Sequence, residues 1–561
     1  MIGISIVLAG QAGQGIQTVE RLLTRILKLD GFHVFATKEY MSRVRGGANS
    51  TEIRVSSEPV RAYVDAIDIL IPIDKEAMKR LEPRIGTGTL IVGDTSYLGD
   101  VNNLLEVPIT ELAKDLGNKI YSNIIAVGIC CGMLDVDMNL AKDYVRTFFK
   151  EKDDDIISKN VEAIEVGFKR GKDARDTNLI SLDISKDDSI KDDLLLHGGE
   201  AISLGAVAGG CNFISSYPMS PSTAVLVSLA QKTEELDIIS EQAEDEISAI
   251  NMALGAWYAG ARAMITTSGG GFALMTEGLS LAGMIESPVV MHLAQRPGPA
   301  TGLPTRTEQG DLALALHGGH GEFPRIIIAP ATIEECFYLT NESFNLADEY
   351  QVPVIILTDQ YTIDSYYNIS SLDPTKVENT RHFIKTGEEY HRYTITESGI
   401  SPRGIPGYGK GLVCVDSDEH DQQGHITENF TVRKQQMDKR LRKLDGFFKN
   451  MQEPAYHGSE SPGTLVVGWG STYHAIREAI NRVGDESIAH VHYSILHPLH
   501  PSTGDILNKA KKVVIVESNA TSQFGRYIRA ETGIKTDATI LKYTGEPFSV
   551  EDIVKRLKEE I

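Results

Sequence analysis

Short apolar runs that lead through glycine into helical patterns recur along the chain, and this alternation restricts what the chain can fold into. The first run is "ISIVLA" (Ile4 to Ala9), which is followed by "GQAGQG" and by an amphipathic pattern over 16–29. Later apolar runs are "DILIPI", "GTLIVGD", "CNFISSY", "TLVVGWGS" and "KKVVIVESN". Strands that alternate with helices form parallel sheets covered by helices. The sequence therefore predicts an α/β protein with several parallel-sheet domains.

The length of 561 residues exceeds the size at which one hydrophobic core stops growing, so we expect two to four domains. A stretch rich in Asp and Lys, ending in "SKDDSIKDD", is typical of a solvated linker and marks a boundary near residue 190. A second polar stretch ends in a basic helix. The predicted divisions are 1–190 (α/β with an acidic linker), 191–370 (α/β), 371–455 (connector) and 456–561 (α/β).

Composition excludes several classes of function. The formal net charge of −22 disfavours a surface for nucleic acid or for anionic membranes. The five cysteines form no Cys-x-x-Cys pair, so we expect a reducing compartment, no iron–sulfur cluster and no metal site in this chain. No basic leader and no run of about 18 apolar residues is present, so we expect a cytosolic protein.

The glycines of "GQAGQG", Gly10, Gly13 and Gly15, lie between a predicted strand and a helix, where free N–H groups favour phosphate. Their spacing is the reverse of the dinucleotide fingerprint, which disfavours NAD. Downstream, "SRVRGG" places Arg43 and Arg45 beside two glycines, and guanidinium groups suit phosphate binding. A tight βα turn and a solvated charged loop explain these motifs almost as well.

The motif "YPMSPST" (Tyr217 to Thr223) lies at a strand-to-helix transition, where α/β sheets bind ligands. Two prolines hold Ser220 there, although Ser220 as a helix N-cap is an equal alternative. An "EDE" cluster ending at Glu246 opens a helix of small residues, where acids normally complement the helix dipole. After "TTSGGG", a buried-looking strand ends at Arg296, which could clamp a carboxylate or have a structural role.

The order of these motifs resembles the 2-oxoacid:ferredoxin oxidoreductases, in the form that fuses a small coenzyme-A-associated domain ahead of the large catalytic subunit. The resemblance covers essentially the whole chain, and "QRPGPATGLPTRTEQGD" is its most specific string. "YPMSPST" departs from the family's Tyr-Pro-Ile-Thr-Pro signature at two positions. The resemblance implies a coenzyme-A-associated domain at 1–190, a thiamine-diphosphate pyrimidine-binding domain at 191–370 and a transketolase C-terminal-like domain at 456–561.

The resemblance also implies roles for individual residues. Ser220 stands where the family has a threonine hydroxyl that touches the substrate 2-oxo group. Glu246 matches the glutamate that contacts the aminopyrimidine ring of thiamine diphosphate, and Arg296 matches the arginine that binds the substrate carboxylate. We therefore expect Glu246 and Ser220 to be catalytic. The remaining residues expected in the substrate pocket are Tyr217, Thr301 and Thr305.

The cofactors and partners follow in the same way. The chain has no Gly-Asp-Gly motif for Mg²⁺-bound diphosphate and no cluster cysteines. The resemblance therefore implies a smaller β subunit with Mg²⁺ and a [4Fe-4S] cluster, thiamine diphosphate shared between the subunits, coenzyme A bound by the glycine loop with Arg43 and Arg45, and ferredoxin as electron acceptor. The expected reaction is oxidative decarboxylation of a 2-oxoacid to acyl-CoA and CO2. The fused arrangement and the Tyr-Pro-Met variant favour 2-oxoglutarate, with pyruvate or a broad substrate range as the alternative.

Two other classes of protein compete with this hypothesis. The N-terminal glycine loop could belong to an NAD- or flavin-dependent dehydrogenase, but its reversed spacing and the unexplained middle motifs argue against one. A noncatalytic assembly or regulatory subunit could keep the fold without the chemistry. The presence of both Glu246 and Arg296 argues against that second alternative.

Overall fold

This computed structural model describes residues 3–11, 16–41, 48–73, 75–99, 101–177 and 182–561. The chain divides into two compact units, and each is described by itself. The first unit comprises Met1–His197, Asp364–Ser371 and Ser549–Glu551. The second unit comprises Gly198–Ile363, Leu372–Phe548 and Asp552–Ile561.

Strands and helices alternate through the N-terminal third of the chain. In chain order they are β1 (Gly3–Gln11), α1 (Ile16–Leu29), β2 (His33–Glu39), β3 (Ala48–Ser56), β4 (Ile69–Pro72), α2 (Lys75–Leu81), β5 (Leu90–Gly93), α3 (Thr95–Leu98), β6 (Leu104–Glu106), α4 (Ile109–Asp115), α5 (Ser122–Met133), α6 (Met138–Phe148), α7 (Asp154–Asp176) and β7 (Leu194–His197).

The same alternation continues through the middle third. These elements are α8 (Gly198–Ala208), β8 (Phe213–Ser216), α9 (Thr223–Ala230), α10 (Thr233–Leu236), β9 (Ile239–Gln242), α11 (Glu246–Tyr258), β10 (Ala263–Thr267), α12 (Gly269–Leu274), α13 (Thr276–Met284), β11 (Val289–Gln295), α14 (Leu312–His317), β12 (Ile326–Ile328), α15 (Ile333–Tyr350), β13 (Pro353–Asp359), α16 (Gln360–Asp364) and β14 (Tyr366–Ile369).

The C-terminal third begins with two short strands and two helices and ends in a further α/β segment. Its elements are β15 (Ile384–Thr386), β16 (Gly404–Gly409), α17 (Phe430–Arg442), α18 (Asp445–Asn450), β17 (Ala455–His457), β18 (Thr464–Trp469), α19 (Tyr473–Val483), β19 (Ile488–Tyr493), β20 (Ile495–His497), α20 (Thr503–Asn508), β21 (Lys512–Glu517), α21 (Gln523–Thr532), β22 (Ala538–Leu541) and α22 (Val550–Glu560).

The sheet of the first unit has a parallel part, as predicted, and an antiparallel part that the sequence did not indicate. Its order is β6-β5-β4-β1-β3-β2-β14-β7. Strands β1, β4, β5 and β6 are parallel neighbours, whereas β3 is antiparallel to both β1 and β2. The reason is the connection, because β2 ends at Glu39 and β3 begins at Ala48, and a parallel crossover needs about a dozen residues or more.

Glycines allow the helices α5 and α7 of the first unit to pack with their backbones in contact. A Cβ at Gly128 would lie 2.9 Å from the Phe168 amide nitrogen, and a Cβ at Gly171 would lie 2.9 Å from that of Met133. No ordinary side chain fits at such distances. Helix α7 is therefore packed along one face, although its composition is that of an exposed helix.

The second unit contains the sheet that positions the predicted site. Its seven strands are ordered β20-β12-β13-β11-β10-β8-β9, and all neighbours are parallel except β20, which pairs antiparallel with β12. Because β8, β10 and β11 are parallel neighbours, their carboxyl ends lie at one edge of the sheet. The loops that follow these strands carry "YPMSPST", "SGGG" and "QRPGPATGLPT", so the three motifs share that edge.

The C-terminal α/β segment of the second unit has its own five-stranded sheet, with the order β17-β19-β18-β21-β22. The polar stretch before it is bound to the middle segment by buried ion pairs. Lys439 of the basic helix α17 and Lys443, the residue after it, lie 2.8 and 2.7 Å from the Glu286 carboxylate, and all three side chains are almost fully buried. Among the described helices, none has the length and apolar character needed to span a membrane.

Candidate active site

Ser220 and Arg296, which are 76 residues apart, are in contact in the structure. Arg296 follows β11 directly, and its Nη1 donates a hydrogen bond of 2.6 Å to the carbonyl oxygen of Ser220. The alternative role of Ser220 as a helix cap is wrong, because α9 begins at Thr223 with Ser222 at its N-cap position. The Ser222 hydroxyl donates to the Met219 carbonyl at 2.7 Å, which closes this turn.

Glu246 is the first residue of α11 and is only 3% exposed. Asp245 caps the helix by accepting a hydrogen bond of 2.7 Å from the Ser248 amide. The Glu246 carboxylate is therefore not needed as the helix cap. Its Oε1 is buried and has no hydrogen-bond partner among the described residues. A buried carboxylate oxygen without a donor is costly, so Glu246 Oε1 is suited to accept a hydrogen bond from a bound group.

The triple glycine explains how the Glu246 carboxylate is accommodated. A Cβ at Gly271 would lie 2.6 Å from Glu246 Oε1 and would also clash with the Thr267 hydroxyl. The glycine therefore leaves space that the acidic side chain occupies. The "SGGG" turn and the "EDE" cluster, which are separate in sequence, form one feature of the site.

Asp311 is a site residue that the sequence reasoning missed. It ends the string "TRTEQGD", and a Cβ at Gly269 would lie 2.6 Å from its carboxyl carbon. Burial raises the pKa of the Asp311 carboxyl to about 6, against the opposing charge of Arg296. Burial also lowers the pKa of the Arg296 guanidinium, and Asp311 opposes that shift. The only signal in the sequence was the run of glycines, which leaves room for a second acid.

The loop 297–311 is held at both ends. Near Arg296, the Leu303 amide donates to the Pro297 carbonyl at 3.0 Å. Farther along, Gln309 Nε2 donates to the Trp469 carbonyl at 2.9 Å, and Gln309 Oε1 accepts from the Ser518 amide at 2.9 Å. The C-terminal α/β segment thus fixes the loop that carries Asp311, and no sequence motif indicated the role of Gln309.

Three predicted pocket residues lie on the loops at this edge. Tyr217 is 41% exposed, Thr301 is exposed and Thr305 is half-buried. Within the described residues, no hydrogen bond joins any of them to Arg296 or to the Ser220 backbone. Their part in substrate binding stays a prediction.

The predicted coenzyme A loop belongs to the first unit. Gly10, expected to begin the loop, instead lies within β1 opposite Asn49, because antiparallel pairing with β3 continues through Gln11. The other four predicted residues, Gly13, Gly15, Arg43 and Arg45, fall outside the described residues.

The residues of the second unit fit the pyrimidine ring of thiamine diphosphate. Glu246 Oε1 is a buried acceptor to which no described residue donates, and Gly271 leaves the space that the carboxylate occupies. Nowhere in the described ranges do three His, Cys, Asp or Glu side chains form a group that could hold a metal ion. Fold and site together define a class: an α/β protein with a candidate ligand site at the carboxyl edge of a parallel sheet.

Comparisons with known proteins identify the family. The family described as "Pyruvate flavodoxin/ferredoxin oxidoreductase, thiamine diP-bdg" matches residues 204–439, and "Pyruvate ferredoxin/flavodoxin oxidoreductase" matches residues 5–170. The 2-oxoacid:ferredoxin oxidoreductase subunit alpha of Saccharolobus solfataricus is 30% identical over 99% of this chain and 97% of its own length. The corresponding subunit from Sulfolobus sp is 29% identical over 99% of this chain and 96% of its own.

A solved structure agrees with these relatives. The 2-oxoglutarate:ferredoxin oxidoreductase from Magnetococcus marinus, with 2-oxoglutarate, coenzyme A and succinyl-CoA bound, matches with a TM-score of 0.93 and 30% identity over the full length of both chains. The chain belongs to the family of 2-oxoacid:ferredoxin oxidoreductase alpha subunits. The family resemblance and the α/β fold class predicted from the sequence are therefore confirmed.

Proposed function

We propose that this chain is the 2-oxoacid- and coenzyme-A-binding subunit of a thiamine-diphosphate-dependent oxidoreductase that converts 2-oxoglutarate to its acyl-CoA and CO2 and reduces ferredoxin. The observation that carries the proposal is the contact of Arg296 with Ser220 at the sheet edge that also holds Glu246. The choice of 2-oxoglutarate is supported by the full-length similarity to an enzyme solved with that acid.

Arg296 would act as the clamp for the substrate carboxylate. The Ser220 carbonyl holds the guanidinium by Nη1, and no other hydrogen bond to this side chain occurs among the described residues. The guanidinium fork therefore keeps donors for the carboxylate that every 2-oxoacid carries next to its ketone. The Ser220 hydroxyl, on the residue that Arg296 contacts, would donate to the ketone oxygen as that oxygen gains charge.

Glu246 would hold the cofactor by a hydrogen bond between its carboxyl group and N1′ of the pyrimidine ring. When bound, thiamine diphosphate supplies the nucleophilic carbon and the electron sink for decarboxylation. The protein's part would be to keep the carboxyl group of Glu246 in place and out of water, and the burial of Glu246 against Gly271 supports that role.

A partner subunit would complete the site. Exposed apolar side chains occur on the two helices that carry Glu246 and Gly271, namely Ile247 on α11 (48% exposed) and Leu274 on α12 (51% exposed). A protein partner that covered them would remove apolar surface from water. We propose that the smaller β subunit docks here. It would bring the Mg²⁺–diphosphate motif and the [4Fe-4S] cluster from which ferredoxin takes electrons.

Reconstitution tests the proposal. The chain co-expressed with its β subunit is expected to purify as a brown complex that reduces ferredoxin only when a 2-oxoacid, coenzyme A and thiamine diphosphate are all present. Higher kcat/KM for 2-oxoglutarate than for pyruvate is expected. A complex that assembles but turns over neither acid would contradict the proposal and favour a noncatalytic assembly subunit.

Coenzyme A binding is tested in the first unit. We expect the double variant Arg43→Ala, Arg45→Ala to raise the apparent KM for coenzyme A by about tenfold or more, because charge-assisted hydrogen bonds to phosphate are lost. The KM for the 2-oxoacid is expected to stay unchanged. Arg146→Ala with Arg170→Ala, at two exposed arginines, is the matched control. An unchanged KM for coenzyme A would show that the two arginines do not bind it, and would favour a structural role for the glycine loop and the arginine motif.

A further inference from the structure

Where the connector (371–455) packs against the middle segment of the second unit, buried cations outnumber the buried carboxylates paired with them. One carboxylate, Glu286, is paired with two lysines, as described above. A second, Asp348, is paired with both Arg262 and Arg403, and these three side chains are at most 5% exposed. Each acid therefore balances only one of the two cations paired with it. This local excess of positive charge contrasts with the net charge of −22 of the whole chain.

Arg392 is a further buried cation of the connector, and it has no carboxylate partner within the described residues. The residue is 3% exposed, and its Nη2 donates a hydrogen bond of 2.8 Å to the backbone carbonyl of Glu286. Its Nη1 is buried and has no hydrogen-bond partner in the part of the chain that the structure describes. The guanidinium carbon lies 4.9 Å from the centroid of the Tyr393 ring. A buried charge without a counter-charge is costly, so Arg392 is suited to pair with a bound anion.

Arg392 and Arg403 line the same pocket of the second unit. This pocket has a volume of about 320 Å³, counted to its open mouth. Arg403 uses two of its nitrogens within the protein, since Nη1 donates to the Trp257 carbonyl at 3.2 Å and Nη2 pairs with Asp348. Its Nε, like Arg392 Nη1, is buried and has no hydrogen-bond partner among the described residues. Each arginine that lines the pocket thus keeps one nitrogen for a ligand.

The other walls of the pocket are mostly apolar. The apolar side chains that line it are Trp257, Ile285, Pro288, Val413 and Val415. Two hydroxyl groups also lie at the pocket, but both are already donating. The Tyr258 hydroxyl donates to the Val413 carbonyl at 2.8 Å, and the Ser287 hydroxyl donates to the Pro288 carbonyl at 3.0 Å. The guanidinium nitrogens are therefore the donors that a ligand would find beside apolar walls.

We propose that this pocket binds a small monocarboxylic acid with a short apolar chain. The carboxylate accepts hydrogen bonds from Arg392 and Arg403, because guanidinium donors suit carboxylate oxygens and the ligand supplies the counter-charge that Arg392 lacks. The carbon chain packs against the apolar walls and leaves water. Phosphate fits less well, because it carries more oxygen atoms than these two nitrogens can satisfy and has no apolar part.

The pocket lies at the opposite end of α11 from Glu246. Tyr258, which lines the pocket, is the last residue of this helix, and Glu246 is the first. A rise of 1.5 Å per residue separates the two ends by about 18 Å. Ser287 and Pro288 precede β11, whereas Arg296 follows the same strand. The carboxylic acid bound here is therefore a different molecule from the one at the candidate active site, and the inference does not rest on the proposed function.

Calorimetric titration of the holoenzyme, with its partner subunit, tests the proposal. The probe is sodium butyrate in a buffer free of phosphate and of other carboxylates. We expect saturable binding with a Kd of about 1 mM or below, as is common for ligands of this size. Arg392→Gln should weaken it by about tenfold or more, because a charge-assisted hydrogen bond is lost. Arg442→Gln is the matched control, since Arg442 also donates to a connector carbonyl, that of Thr396, at 3.1 Å.

A second set of variants covers the other outcomes. Arg296→Lys should bind butyrate at this pocket as the wild type does. If Arg296→Lys loses binding and Arg392→Gln keeps it, butyrate binds at the candidate active site and the inference is wrong. If Arg392→Gln does not assemble, Val415→Phe decides, because it keeps both arginines but fills the pocket and should abolish binding. Tighter binding of inorganic phosphate than of butyrate, or no saturable binding of butyrate at tenfold the expected Kd, would overturn the proposal.

Discussion

Glu246→Gln is expected to lower kcat of the reconstituted complex by about 10²- to 10⁴-fold, the range typical of a positioned acid–base group. The variant removes the negative charge that would make the pyrimidine N1′ a strong hydrogen-bond partner, yet it preserves side-chain size in a site with no spare volume beside Gly271. Steady-state ferredoxin reduction measures the loss. Gel filtration and the affinity for thiamine diphosphate, measured by calorimetry, report on assembly and on cofactor binding independently of turnover.

Glu244→Gln is the matched control for that experiment. Glu244 is an exposed acid of the same "EDE" cluster. Its substitution tests whether the loss of any negative charge near the site lowers kcat. It should change kcat by less than about twofold, as exposed charges contribute little. Near-normal turnover of Glu246→Gln would remove Glu246 from the mechanism.

Arg296→Lys is expected to lose about 10²-fold in kcat/KM, because a displacement of about 1 Å at the reacting centre has effects of that order. Lysine keeps the charge but supplies a mobile ammonium in place of a planar fork, so both the Ser220 contact and the bidentate grip on the substrate are lost. The loss should be similar for pyruvate and 2-oxoglutarate, because the carboxylate next to the ketone is common to both. Parallel kinetics with the two acids measure it.

Arg482→Lys, at an arginine whose ion pair with Glu478 lies on the surface of α19, is the control for the substitution itself. A loss confined to 2-oxoglutarate would instead assign Arg296 to the distal carboxylate of that acid. If Arg296→Lys lowers the melting temperature so far that the complex no longer assembles, Arg296 has a structural role.

The motif loops of the site could be predicted to meet because their position follows from local patterns. Each motif comes directly after an apolar run, and parallel strands place such loops at one sheet edge. The proximity of Ser220 and Arg296 was therefore accessible from the sequence through the resemblance, although the contact of the guanidinium with a backbone carbonyl was not.

Other features depend on packing between distant segments, and no local pattern encodes them. Asp311 was overlooked because its partner, the Gly269 backbone, is 42 residues away and has no side chain to signal a contact. The pairing of Lys439 and Lys443 with Glu286 could not be predicted from the basic helix, because it depends on how the connector folds back. The mixed sheet of the first unit depends on one short connection between β2 and β3.

The attachment of the loop 297–311 to the C-terminal α/β segment has a consequence for engineering. Any attempt to redesign substrate preference by exchanging this loop with a relative's would leave Gln309 facing foreign partners in place of Trp469 and Ser518. The segment that can be exchanged therefore consists of the loop together with residues 469–470 and 518–519. These residues lie more than 150 positions farther along the chain than Gln309. Recombination between family members should respect that pairing and not the apparent motif boundary.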